Sequence, residues 1–276
     1  MRCLIALISV LLVAASCKQE PIEKEWQFDK LIPLNNINAT GMQWDDHRNL
    51  WISDTDHNRI IKIDTLGTIL EEVEGFDRPM HLSFVKNKLY IPEYGKDSIS
   101  VLDGQKKTYL RLNDALDAPA GVAVWQNEIA IADFYNHSIL YSKDGKNYSR
   151  IGSQGHQDGQ FYYPTDVQLD EDYIWVADAY NNRIQQLDKK GNILKIIGWD
   201  QNMNATTGLF VFNNGIFATD FENDRVLYFN KDGALLQILK RKVNKPTEIA
   251  MFCESLYIFN YRNSELVKYT WSPKKR

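Results

Sequence analysis

The stretch Gly159–Gly198, GQFYYPTDVQLDEDYIWVADAYNNRIQQLDKKGNILKIIG, decides the fold. It holds four β-type runs, Asp166–Leu169, Tyr173–Ala177, Arg183–Leu187 and Ile193–Ile197. Between them stand Asp170-Glu171-Asp172, Tyr180-Asn181-Asn182 and Lys189-Lys190-Gly191-Asn192, all turn-forming. Short apolar runs bounded by Asp, Asn and Gly clusters predict strands joined by tight turns. The unit is a four-stranded antiparallel meander.

The rest of the chain repeats this unit. An acid or amide closes each second strand, and an aliphatic residue follows it: Asp54…Ile60, Glu93…Ile99, Asp133…Ile139, Asp178…Ile184, Asp220…Val226 and Asn260…Leu266. By subtraction, these landmarks lie 39, 40, 45, 42 and 40 residues apart. Gly41, His81, Gly121, Asp166, Gly208 and Glu248 keep the same beat at the start of the first strand. A period near 40 residues with four strands per unit signals an all-β, six-bladed β-propeller. The last repeat has only three strands, near Glu248–Met251, Leu256–Phe259 and Glu265–Trp271. The unpartnered apolar segment Trp26–Leu34 is expected to complete that blade as its outer strand, closing the ring and removing an exposed edge.

Gly152–Gly198 resembles an NHL repeat through Gly159-Gln160-Phe161, Pro164 and Val176-x-Asp178…Asn182-Arg183-Ile184. Blade one (Trp51-Ile52-Ser53-Asp54…Asn58-Arg59-Ile60) and blade five (Asp220…Asp224-Arg225-Val226) match well, whereas blades two, three and six read as degenerate. The resemblance covers residues 38–271, implies the propeller fold and carries little about function.

At 276 residues the chain has room for one propeller and a short leader. Its formal charge of −4 argues against nucleic acid, which requires clustered Lys and Arg. Lys106-Lys107, Lys189-Lys190 and Lys240-Arg241-Lys242 read as solvated surface. Arg2 precedes an apolar run, Cys3–Ala15, that is too short to span a bilayer as a helix. The following Ser16-Cys17-Lys18 resembles a bacterial lipoprotein signal, although Ala14 stands where Leu is usual. The expected organisation is a signal peptide over residues 1–16, a lipidated Cys17 with a polar tether to residue 24, and a propeller over 25–276. That implies an exported monomer anchored in the cell envelope, with membrane contact through lipid alone. With Cys3 removed and Cys17 lipidated, Cys253 is left without a disulfide partner and reads as a buried small hydrophobe.

In such a meander the linker between blades and the turn after each landmark lie on one face. That mouth is expected to carry Tyr94, Phe134, Tyr135, Tyr180, Phe221 and Tyr261 with His57, His137 and His156, while His47 lies on the opposite side. A concave aromatic surface with a few polar groups is the default ligand site, here for a peptide, glycan or protein partner and with no cofactor. The alternative is a divalent metal, zinc or calcium, held by His81, Asp166 and Glu248, which alternate with glycines around the ring. The landmark acids read as structural turn caps.

Catalytic signatures are sparse. Peptidyl-amidoglycolate lyases, a similar propeller family, hold zinc through histidines that follow repeat prolines. Here Met80, Ala120, Thr165 and Thr247 occupy those places. Lactonase-type propellers hold a metal through carboxylates and amides, which Asp166 and Glu248 resemble. Asp54-x-Asp56-x-Asn58 begins like a calcium loop, but Arg59 replaces the required Gly and Thr65 the bidentate Glu. The reading favours a non-catalytic binding scaffold over a metal-dependent hydrolase or lyase.

Overall fold

The computed structural model describes residues 23–274, so the leader and Cys17 lie outside the described residues. Six four-stranded antiparallel sheets form six blades. In blade four the strands are Pro164–Leu169, Tyr173–Asp178, Arg183–Asp188 and Ile193–Ile197, within two residues of the predicted runs. As expected, the N-terminal strand Lys24–Pro33 completes blade six. It pairs antiparallel with Glu265–Pro273, from Lys24 opposite Pro273 to Pro33 opposite Glu265. Among the described residues no helix is long and apolar enough to cross a membrane.

Burial explains why the repeat forms strands of unequal character. The second strand of blade one, Leu50–Asp54, is buried throughout, whereas the outer strand Ile69–Glu74 is exposed at alternate positions. Middle strands sandwiched by neighbouring blades require apolar side chains on both faces. The core therefore lies between blades: Ala130, Ile139 and Tyr141 of blade three pack with Val167, Val176 and Leu187 of blade four. Each large aliphatic side chain buried there contributes about 1.5–3 kcal/mol.

Two turn devices recur. Asp64, Asp188 and Asn230 accept backbone N–H bonds from residues two and four further on, closing the outer hairpins. Gly67, Gly191 and Gly233 supply the left-handed residue there, with φ of 89°, 88° and 91°. The landmark residues form the second device. Asp54, Glu93, Asp133, Asp178, Asp220 and Asn260 are fully buried. Each accepts the N–H of the residue sixteen positions earlier, in the linker entering its own blade, at 2.6–3.0 Å. Arg59, Arg183 and Arg225, five residues on, neutralise Asp54, Asp178 and Asp220. Blade six inverts the pair: Asn260 donates to Glu265 at 2.9 Å.

Two expectations need correction. Cys253 is exposed, because it occupies the left-handed position (φ 52°) of the turn joining Pro246–Phe252 to Ser255–Asn260. The lysine-rich pieces are not merely solvated. Lys107 reaches Glu93 at 2.7 Å and lies 4.0 Å from the Phe76 ring, while Lys189 pairs with Glu128 at 2.6 Å. Their aliphatic stems cover apolar surface while the charged ends find acids.

Candidate functional site

The turns after the landmarks do share a face with the linkers. Tyr94, Tyr135, Tyr180, Phe221 and Tyr261 donate their N–H groups to linker carbonyls of Arg78, Asp117, Tyr162, Ala205 and Lys245, at 3.1–3.2 Å. On this mouth the candidate residues divide into two groups.

Tyr94, Phe134, Tyr135 and Tyr180 come together across blades two to four, joined by Tyr162 and Tyr163. Ring centroids lie 5.7 Å apart for Tyr94–Phe134, 4.7 Å for Phe134–Tyr163 and 5.0 Å for Tyr163–Tyr180. Tyr135 and Tyr180 remain 49% and 59% exposed. Arg78 lies over Tyr94, 4.5 Å from its centroid, and exposed His156 packs against Tyr162. Burial, then the neighbouring Tyr135, pushes the Tyr94 hydroxyl well above its ordinary value. Sequence reasoning missed Tyr162 and Tyr163; their place just before Pro164, beside the recognised linker motif, was the available signal.

The other half of the mouth is polar. Phe221 lies beneath Lys245, Tyr261 donates its hydroxyl to Asp56 at 2.7 Å, and His57 meets Asp54 at 2.8 Å. Those three candidates share the face but take no part in the ring cluster. His47 sits in a turn of blade one, its N–H donated to Asp45.

His137 has a structural role that the sequence reading did not assign. It ends the turn after the blade-three landmark in the left-handed conformation, as do Asn58, Asp97, Asn182 and Asp224 in their blades. Each of these side chains accepts the N–H of a left-handed residue in the next linker, respectively Arg78, Ala118, Tyr163 for His137, Ala205 and Lys245. At 3.1 Å from the Tyr163 nitrogen, His137 Nδ1 must be the unprotonated acceptor. Burial lowers the pKa of this ring below its usual 6.5, against the opposing field of Asp178. His137 therefore holds Tyr163, the ring at the centre of the patch.

The ring alternation brings His81, Asp166 and Glu248 together beneath the mouth. Their ligand-type atoms all lie within 4.8 Å of one another, and the residues are only 2%, 1% and 4% exposed. The intervening glycines make this possible. A Cβ on Gly41, Gly121 or Gly208 would collide with the backbone bearing His81, Asp166 or Glu248, so only Gly permits that approach. Asp166 accepts N–H bonds from Val167 at 2.8 Å and, in the next blade, Leu209 at 2.9 Å. Glu248 accepts that of Ile249 at 2.7 Å, and its Oε2 stands 2.6 Å from His81 Nδ1. Burial raises Glu248 well above the usual carboxylate range and lowers His81. Asp166 is pushed up to about 7 by burial, despite the attraction of His81. Burial thus disfavours the charged form of both partners in the close His81–Glu248 contact.

Comparison with known proteins supports the architecture. The NHL repeat pattern matches residues 116–140. This segment lies in blade three, one of the repeats whose motif is degenerate by eye. A catalytically inactive virginiamycin B lyase from Staphylococcus aureus, solved with quinupristin, superposes with a TM-score of 0.67 at 17% identity. That match covers 91% of this chain and 89% of the lyase. A gluconolactonase from Xanthomonas campestris gives 0.73 at 15% identity, covering 88% and 89%. At such identities the likeness is one of fold. By sequence, no curated protein matches the chain. The chain is a six-bladed β-propeller carrying an NHL repeat.

Proposed function

We propose that this propeller is a non-catalytic binding scaffold whose aromatic patch, from Tyr94 to Tyr180, takes a glycan or peptide. The observation that carries this reading is the continuity of six rings from three blades, with two left about half exposed. Rigid tyrosines offer broad contact area at small conformational cost, and exposed apolar patches mark interaction sites. The sequence of the leader supports export and attachment to a membrane of the cell envelope through Cys17.

The test is a screen of immobilised glycans and of a displayed peptide library, with hits measured again on variants. Replacing Tyr94, Phe134 and Tyr163 together by Ala is expected to weaken binding at least tenfold, since central aromatic anchors dominate interface energies. Ala118 occupies the position in the preceding linker equivalent to Tyr163, so alanine suits that backbone. Phe221→Ala, outside the patch, should bind as the wild type does. Unchanged binding by the triple variant would remove the reading.

A further inference from the structure

The axial cluster poses an electrostatic problem that the rest of the fold does not. Every fully buried landmark acid has an Arg or Lys partner. Asp166 and Glu248 have none among the described residues; their only ionisable company is His81. Two buried carboxylates without a counter-cation are costly. Protonation is one remedy and a bound cation the other.

We propose that His81, Asp166 and Glu248 hold one transition-metal dication of the zinc type at the propeller axis. Three observations converge on this site. The ligand atoms are an imidazole nitrogen and two carboxylate oxygens, all within 4.8 Å of one another. They come from three different blades, with glycines between them fixing the approach of the strands. Backbone N–H groups of Val167, Leu209 and Ile249 already orient both carboxylates, the supporting role that outer hydrogen bonds play around metals. Each carboxylate oxygen has two lone pairs, so these bonds leave further capacity for an ion. A nitrogen ligand and a small donor set select zinc, cobalt or nickel, whereas calcium takes six to eight oxygens. A dication there neutralises both acids.

The full chain, stripped with a chelator, is titrated with zinc chloride by calorimetry and with cobalt chloride by visible absorption. The expected result is one equivalent of either ion, with cobalt bands showing a protein-bound site. His81→Asn and Glu248→Gln should each weaken zinc binding at least tenfold, with circular dichroism confirming that they fold. If a variant fails to fold, zinc K-edge absorption on the wild type decides, since it reports imidazole ligation directly. No binding at millimolar metal, undiminished binding in both folded variants, or a zinc environment without imidazole would overturn the proposal.

Discussion

The side-chain amide of Gln237 brackets the backbone of Trp26. It accepts the Trp26 N–H at 2.9 Å and donates to the Trp26 carbonyl at 2.8 Å. Gln237 belongs to the outer strand of blade five and Trp26 to that of blade six. An amide side chain thus acts as one rung of a sheet between blades that share no sheet. Gln237→Ala leaves both backbone groups of a buried residue unpaired and is expected to cost about 2 kcal/mol. In a thermal melt that is a loss of roughly 5 °C.

Removal of residues 24–33 should be far more damaging. It bares the edge of Glu265–Pro273 and empties the place of Trp26, which packs 5.4 Å from Phe217 and 5.3 Å from Trp271. The expected outcome is a single melting transition moved down as a whole, with aggregation through the bared edge. Loss of blade six alone, seen as a separate early transition, would contradict ring closure as the source of cooperativity.

Blade six suggests an exchange within blade four. Asp178→Asn and Arg183→Glu each break the buried ion pair, and each is expected to cost about 3–5 kcal/mol. Together they recreate the order of Asn260 and Glu265. The double variant should be more stable than the sum of the two losses by about 1–3 kcal/mol, read from a double-mutant cycle in urea.

His137 makes the patch sensitive to acid. Because its folded pKa lies below the usual 6.5, the folded state prefers the neutral ring. Its contribution to stability is therefore full above 6.5 and lost as pH falls through the lower folded value. Protonated Nδ1 becomes a donor facing the donor N–H of Tyr163. His137→Asn, copying Asn58 and Asn182, should flatten the acid side of the stability–pH profile. Fluorescence and melting measured between pH 4 and pH 8 test this.

The fold was legible because its signals are local and repeated: turn residues, period-two strands and a landmark at each second-strand end. The alternation of His81, Asp166 and Glu248 with glycines was legible as well, since ring symmetry converts sequence position into angular position. The burial of that cluster was not, because it depends on how closely Gly41, Gly121 and Gly208 let adjacent strands approach. Tyr162 and Tyr163 lie in a linker without periodicity. The role of His137 emerges only when it is aligned in space with Asn58, Asp97, Asn182 and Asp224. The exposure of Cys253 was not legible, because a small apolar residue is usually buried and nothing local marks Cys253 as the left-handed residue of a turn.

The direction of the N-terminal strand has a mechanical consequence. Lys24 lies at the face opposite the mouth and Pro33 at the mouth itself, beside the turn Tyr261–Asn263. A pull applied at the Lys24 end against a ligand gripped by the mouth runs along this strand. It loads the hydrogen bonds from Lys24–Pro273 to Pro33–Glu265 in shear, all at once, instead of peeling them singly. Held from that end, the ring would meet tension with its outermost strand pair as a clamp, and the patch lies on the face away from the held end.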